Sequence, residues 1–336
     1  MNITNKGDIP LGLAVWALHD EYDYIDHENY ISATRLMKPI RHIVLPPRVP
    51  KHLIQPDVED YVSRALGGAL HSGIEAAWIK GYERSLKLLG HPQSVIDRVL
   101  INPKVSDLKP DSIPVYIEQR AFKRIIVNGI VYVIGGKFDM CTDGIVNDNK
   151  STTAFTWVHG TKDDDYALQG SLYRWLNTSG FEDVECTIPI GVNRITEDFI
   201  RVNFIFTDWQ KMAAKTNPNY PQSRLMSKDI PLLSLQETEN YIRRKIEAVQ
   251  MYKDKPETEI IECTDEELWR SAPVYKYYSD PNNTSGKSTK NFDSPSEAKN
   301  HLATKGKGVV IAVPGEVKRC GYCEAFHACT QKDRYF

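Results

Sequence analysis

The 336-residue chain contains no apolar run long enough to span a bilayer, so no membrane-spanning helix is expected. Its first residues, Met1 to Pro10, are polar and lack the apolar stretch of a secretory signal, which points to a cytoplasmic protein. Neither sign of charge is in excess: 42 Lys and Arg stand against 44 Asp and Glu, a formal net charge of -2. Any grip on nucleic acid must therefore come from a local basic surface. Internal repeats and low-complexity tracts are absent. Cysteine is scarce and uneven. None precedes Cys141; Cys141, Cys186 and Cys263 are solitary, and Cys320, Cys323 and Cys329 cluster near the end. In a reducing compartment such a cluster suggests metal ligation before disulfides. The 41% hydrophobic and 26% charged content suits a soluble globular protein with one large domain or two.

Along the chain, Ile31 to Leu36 predicts a short helix capped by Ser32. The run from Lys38 to His52 reads as a solvated loop or as a basic lip for phosphates. Asp57 to Leu89 carries an apolar stripe (Val58, Val62, Leu66, Leu70, Ile74, Trp78, Tyr82) at helical spacing, broken at Gly67-Gly68. His71 and Glu75 share a face of this helix. Residues 112–150 read as an antiparallel meander of four strands with a turn at Asn128-Gly129. Asp163 to Asn177 is a helix, Val184 to Val192 and Phe199 to Phe206 are strands, and Leu235 to Lys253 is a half-solvated helix. Beyond residue 254 come a loop at Asp280 to Lys290, a helix at Ser294 to Leu302 with a Ser294/Glu297 capping box, and a strand at Val309 to Val313. The expected divisions are an extension over 1–56, a core over 57–253, and a C-terminal extension over 254–336.

The stretch from Gly135 to Lys150 carries the chemistry. It predicts two strands joined by Asp143-Gly144, with Asp139 on one arm and Asp148 and Lys150 on the same face of the other. Two carboxylates and an ammonium at a sheet end suit Mg²⁺ or Mn²⁺ and a phosphodiester. A metal so held activates water and screens charge on the phosphate, and the lysine orients that water or stabilises the charge. On the next helix, Gln169 and Tyr173 lie four apart on one face.

Taken in order, Gly67-x3-His71, Gly136-x-x-Asp139, Asp148-Asn-Lys150 and Gln169-x3-Tyr173 resemble the signature of the PD-(D/E)XK nuclease superfamily, in its RecB-like branch. The resemblance covers roughly residues 30–206. The tail, with Glu267-x-Trp269 and the terminal cysteines, looks like that of bacteriophage members. The resemblance implies an α/β fold of restriction-endonuclease type, a mixed central sheet flanked by helices with a metal-stapled C-terminal extension. It implies that His71, Asp139 and Asp148 bind the metal with the Asn149 backbone carbonyl, and that Lys150 is catalytic. Gln169 and Tyr173 position the strand or support the site. Glu118 is either a supporting carboxylate or an exposed strand residue.

Cys320-x2-Cys323-x5-Cys329 is a metal-ligand spacing. RecB-like nucleases with an iron–sulfur cluster end in the same spacing, with a fourth cysteine before the core; this chain has no cysteine there. Three readings follow: a Cys₃His zinc site completed by His327, a [4Fe–4S] cluster on three cysteines and another ligand, or free thiols. Cys263 is a further neighbour to consider. The expected function is a Mg²⁺- or Mn²⁺-dependent deoxyribonuclease, an exonuclease acting on single strands or duplex ends. It would serve recombination, replication or repair, with a partner protein from one of those processes. The alternative is a nuclease-fold DNA-binding or assembly factor without activity.

Overall fold

In the computed structural model, which describes residues 3–22, 24–178 and 194–336, α1 (Leu11–Leu18) precedes β1 (Tyr30–Ser32) and α2 (Ala33–Leu36). Ser32 caps α2 as its position predicts, its Oγ accepting from the Arg35 N–H at 3.1 Å. After α3 (Ile40–Val44), α4 runs unbroken over Glu59–Leu88. The break expected at Gly67-Gly68 does not occur. Two glycines cost a helix about 1 kcal/mol each. That cost is outweighed by packing of Ile74, Trp78, Tyr82 and Leu86 against the sheet. Next come α5 (Gln93–Ile96), β2 (Val99–Ile101), and the antiparallel strands β3 (Ile113–Val127), β4 (Ile130–Thr142) and β5 (Ile145–Thr152). Both predicted turns form. Asn128 and Gly129, then Asp143 and Gly144, all take left-handed φ, the backbone a tight hairpin needs. The meander has three strands where four were expected, because 113–127 is continuous.

Then follow α6 (Ala154–His159), α7 (Asp163–Leu176), β6 (Phe199–Phe206), α8 (Lys211–Thr216), β7 (Leu225–Pro231) and α9 (Leu235–Tyr252). The strand expected at Val184 to Val192 lies outside the described residues. The sheet runs β2-β3-β4-β5-β6-β7, with β1 also paired to β4. Parallel pairs (β1–β4, β2–β3, β5–β6) mix with antiparallel ones. This is the expected α/β class, a mixed sheet with helices over it. One face carries the main core, where Leu36, Leu172, Trp175 and Ile246 pack on Phe138 and Phe204. The other meets α4 through Val115, Ile117 and Met140.

The in–out alternation of this sheet inverts along one row. In β3, Tyr116 belongs to the main core and Ile117 to the α4 side; past Glu118, the odd-numbered Ala121, Ile125 and Val127 take the main-core side. In β4, Tyr132, Ile134 and Phe138 face the main core; past Asp139, Met140 faces α4 and Cys141 the main core. Regular strands keep one parity per face. Here both strands change parity together, at residues opposite one another: Ile117 pairs with Met140 and Gln119 with Phe138, leaving Glu118 and Asp139 unpaired between them.

The chain divides into two units, Met1–Lys38 with Gln55–Glu247, and Pro39–Ile54 with Ala248–Phe336. The expected boundaries are corrected accordingly: residues 39–54 belong with the C-terminal region. In the second unit a small antiparallel sheet orders β10 (Val309–Val313), β8 (Val274–Tyr278) and β9 (Lys290–Phe292), with α10 at Pro295–Lys305. The Ser294 hydroxyl does not cap α10 and instead meets the Ser296 hydroxyl at 2.6 Å. The basic-lip reading fails for two of its cations. Arg41, 3% exposed, pairs with Glu257 and donates to the Ile260 and Ile261 carbonyls at 2.9 and 3.1 Å. Arg48 donates to the carbonyls of Tyr252, Lys253 and Lys255 at 3.1, 2.8 and 2.7 Å, closing the end of α9. Among the described residues no helix is long and apolar enough to cross a membrane.

Two glycines of the motifs differ in kind. A Cβ on Gly136 would stand 2.8 Å from Leu176 Cδ1 and 3.1 Å from Tyr173 Cε1, while one on Gly67 meets nothing within 4 Å. Gly136→Ala is expected to cost about 1–3 kcal/mol. Gly67→Ala is expected to stabilise α4 by up to about 1 kcal/mol. Urea-unfolding midpoints check both, and equal effects would contradict this packing.

Candidate active site

The inverted row assembles the site. Glu118 on β3 faces Asp139 on β4. The β4–β5 ladder ends at Met140 opposite Asn147, so the next position sets Asp139 beside Asp148 of β5. Three neighbouring strands thus present three carboxylates in one row. Glu118 reaches its place with φ +51°, a left-handed backbone that a non-glycine residue adopts at a cost, here inside a strand. The fourth turn of α4 brings His71 over the row. Its Nδ1 lies 3.3 Å from Asp139 Oδ2 and 4.0 Å from Glu118 Oε1. Donor atoms of His71, Glu118 and Asp139 all fall within 4.8 Å of one another, a spacing that one cation can bridge.

The remaining predicted residues form a second cluster beside the first. Asp148 is 1% exposed. Lys150 Nζ stands 2.9 Å from its Oδ1 and 2.7 Å from its Oδ2, yet Oδ2 has no well-aligned hydrogen-bond donor. Gln169 Nε2 donates to the Tyr173 hydroxyl at 2.9 Å and approaches Asp148 Oδ1 at 3.4 Å, which fixes the carboxylate from α7. The Asn149 backbone N–H donates to Asp139 Oδ2 at 2.8 Å and so orients that carboxylate. Lys150 also lies 5.9 Å from the centre of the Tyr166 ring.

The charges reflect this crowding. Burial is the main force raising the Asp148 carboxyl to about 6, against the opposing pull of Lys150. Burial raises Glu118 as well, with Lys137 2.8 Å away as its counter-ion. His71 is raised chiefly by its contact with Asp139. Burial lifts the Tyr166 hydroxyl to about 12 and that of Tyr173 higher still.

A groove of about 1130 Å³ opens onto His71 and Glu118. Its walls carry the cations Arg35, Lys38, Arg64 and Lys137 and the exposed rings Tyr22 and Tyr24. Sequence reasoning named Lys38 in its basic run but passed over the others, because they lie in the aperiodic N-terminal segment and at single positions between motif residues. It also left Glu118 undecided; the signal was its register with Asp139, which only the hairpin pairing reveals.

In the second unit, Cys320, Cys323 and Cys329 share a cavity of about 10 Å³ with Cys263, Arg41 and His42. His327 does not line it: that ring is exposed and packs edge-on against Phe326. Cys323 Sγ lies 3.4 Å from His42 Nε2, and Arg41 Nη1 lies 3.2 Å from Cys329 Sγ.

No protein-family model matches the chain, and no curated protein matches it. A solved structure described as "Crystal structure of SSO0001" is similar at a TM-score of 0.41 and 17% identity, over 74% of this chain and 91% of that one. A likeness this slight carries no argument about activity.

The raised groups predict a pH dependence. Asp148 ionises near 6 in the folded chain against 3.8 ordinarily, so the folded state holds its proton more tightly. Its ionisation therefore lowers stability as pH rises from about 4 to about 6, and the penalty is complete above that. His71, shifted above 6.5, contributes stability that is full below 6.5 and is lost as pH rises through its folded value. In chelator-treated protein, Asp148→Asn is expected to flatten the fall in unfolding free energy between pH 4 and 6 relative to wild type. An unchanged slope in denaturant melts would remove Asp148 as its source.

Proposed function

We propose that the protein is a divalent-cation-dependent nuclease that hydrolyses DNA phosphodiester bonds. The observation that carries this reading is the row Glu118–Asp139–Asp148, roofed by His71 and flanked by Lys150. Like carboxylates placed side by side repel one another, and a row of them is not a device for stability. The donor set is hard, carboxylate oxygens and one imidazole, which suits Mg²⁺ or Mn²⁺. The buried Asp148 Oδ2 lacks an aligned hydrogen-bond donor and fits a ligand atom. His71, Glu118 and Asp139 would hold the cation, with Asp148 completing the site. A bound cation supplies a water of lowered pKa and charge neutralisation at the phosphate.

The chain's own residues do the rest. Lys150, hydrogen-bonded to Asp148 Oδ1 and ion-paired with Oδ2, presents an ammonium beside the row that orients the attacking water or steadies charge on phosphorus. Gln169 holds Asp148 and Tyr173 in one network, so the carboxylate meets its ligand without reorganising. Lys137 neutralises Glu118 and Arg64 pairs with Asp20, and Arg35 and Lys38 would meet phosphates in a groove that also carries Glu21 and Glu75. Exonucleolytic trimming of single strands or duplex ends, in recombination, replication or repair alongside a partner protein, is the use this site suits.

The test is cleavage of 5′- and 3′-labelled single- and double-stranded DNA with Mg²⁺ or Mn²⁺. Asp139→Asn and Lys150→Ala are expected to lower the rate by about 10²–10³-fold. DNA binding in Ca²⁺ should stay within a few-fold of wild type. Undiminished cleavage by both variants overturns the assignment. Salt-dependent binding by wild type with no cleavage under any divalent cation selects the inactive, DNA-binding alternative.

A further inference from the structure

We propose that one end of the small sheet in the second unit binds the phosphate backbone of a nucleic-acid duplex, whatever its sequence, through Lys287, Lys290, Lys305 and Lys307. The surface is separate from the carboxylate row, and the proposal rests on none of the nuclease reading. Strand register gathers the four lysines. Tyr277, near the end of β8, pairs with Lys290 at the start of β9, and Tyr278 pairs with Val309 at the start of β10. The Tyr277 hydroxyl donates to the Lys307 carbonyl at 2.9 Å, which ties the turn after α10 to the same end. That turn follows Lys305 directly, and its glycines, Gly306 and Gly308, take left-handed φ. The Thr289 N–H donates to the Tyr277 carbonyl at 2.9 Å, so the loop carrying Lys287 closes there too. The two segments that border this end, 279–290 and 301–309, hold four lysines and His301 against one acid, Asp280.

The four lysines are exposed, and among the described residues none is in an ion pair with a carboxylate. Lys290 Nζ lies 4.9 Å from the centre of the Phe292 ring, which the His301 ring meets at 5.1 Å. Burial holds His301 below its ordinary value, and the charges of Lys290 and Lys305 lower it further. Cations gathered around one imidazole with no counter-ion make a field that an outside anion completes. The dipole of α10 accounts for Lys305 in its last turn and for none of the other three. The surroundings select the anion. No large apolar side chain is exposed in either segment. A lipid surface is held through apolar area beside the cations, and protein interfaces are poor in lysine. Phosphate backbones are gripped by lysine together with serine, threonine and asparagine, and the loop offers Asn282, Asn283, Thr284 and Ser285. Tyr277 and Phe292 are 2% and 9% exposed, so neither is a platform on which unpaired bases stack. Phosphates are therefore met from outside, as a duplex presents them. The frame is firm: Tyr277, Phe292 and Ala298 are buried together with Leu302 and Val310 packed on them.

The experiment is binding of the full chain to labelled DNA duplexes of two unrelated sequences over a range of salt, in chelator so that no strand is cut. A single strand of equal length and vesicles rich in phosphatidylserine are compared. Changing all four lysines together (Lys287→Gln, Lys290→Gln, Lys305→Gln, Lys307→Gln) is expected to make the plot of log K against log salt shallower by about 3–4, about 1 per lysine, on both duplexes alike. The matching fourfold change to arginine should keep the wild-type slope. Should the fourfold glutamine variant not fold, Lys290→Gln and Lys305→Gln decide singly, each with a loss of about 1 in slope. No duplex binding by the wild type, an unchanged slope in the glutamine variants, a loss confined to one duplex sequence, a larger loss on the single strand than on the duplex, or lysine-dependent binding to the vesicles with the duplex slope unchanged would each overturn the proposal.

Discussion

Repulsion among the carboxylates of Glu118, Asp139 and Asp148 is the constraint around which the first unit is arranged. Two such charges within 4.8 Å repel by on the order of 3–4 kcal/mol at an effective dielectric of about 20. The fold answers with two local cations, Lys137 on Glu118 and Lys150 on Asp148, and with the His71 ring 3.3 Å from Asp139. It also answers with protonation, since both Asp148 and Glu118 hold their protons to higher pH than usual. Each answer is incomplete, and the residual strain is what a cation would relieve.

Holding the row in place requires an irregular sheet. The alternation of β3 and β4 inverts at Glu118 and Asp139, and Glu118 takes a backbone conformation that costs about 1–3 kcal/mol. The ladder on either side of the fault over-determines it: Ile117 with Met140, and Gln119 with Phe138, are fixed in register and buried or half-buried. The inversion also explains how helices on two faces serve one site. α4 delivers His71 from one side of the sheet, while α7 delivers Gln169 and Tyr173 from the other. A regular sheet would direct Glu118 and Asp139 to one face only.

The second unit follows a different principle. It has a three-stranded sheet, one helix of moderate length and a tail of 3₁₀ turns, and its apolar clusters are small, with cysteines in or beside two of them. Arg41 is buried among carbonyls and a carboxylate rather than offered to solvent, and Arg48 ties off α9. Two of the cations that read as a phosphate-binding lip, Arg41 and Arg48, are consumed in holding the chain together. The histidine between them in sequence faces the thiols instead.

Much of this was legible before any coordinates. The Asn-Gly and Asp-Gly turns need left-handed backbone, so their dipeptides announced the hairpins, and those hairpins placed Asp139, Asp148 and Lys150 together. Helical spacing placed Gln169 with Tyr173, and they bond. Two local expectations failed for the same reason: Gly67-Gly68 did not break α4, and Ser294 did not cap α10, because tertiary packing and competing hydroxyls overrule propensities of about 1 kcal/mol. The amino-acid sequence by itself determined which residues are capable of chemistry, since charge, softness and local period reside in the residues. Only the tertiary structure decided which of them meet. Glu118 joins Asp139 through strand register, His42 joins Cys323 across most of the chain, and His327 points away, because proximity between distant segments is a property of packing that no local pattern encodes.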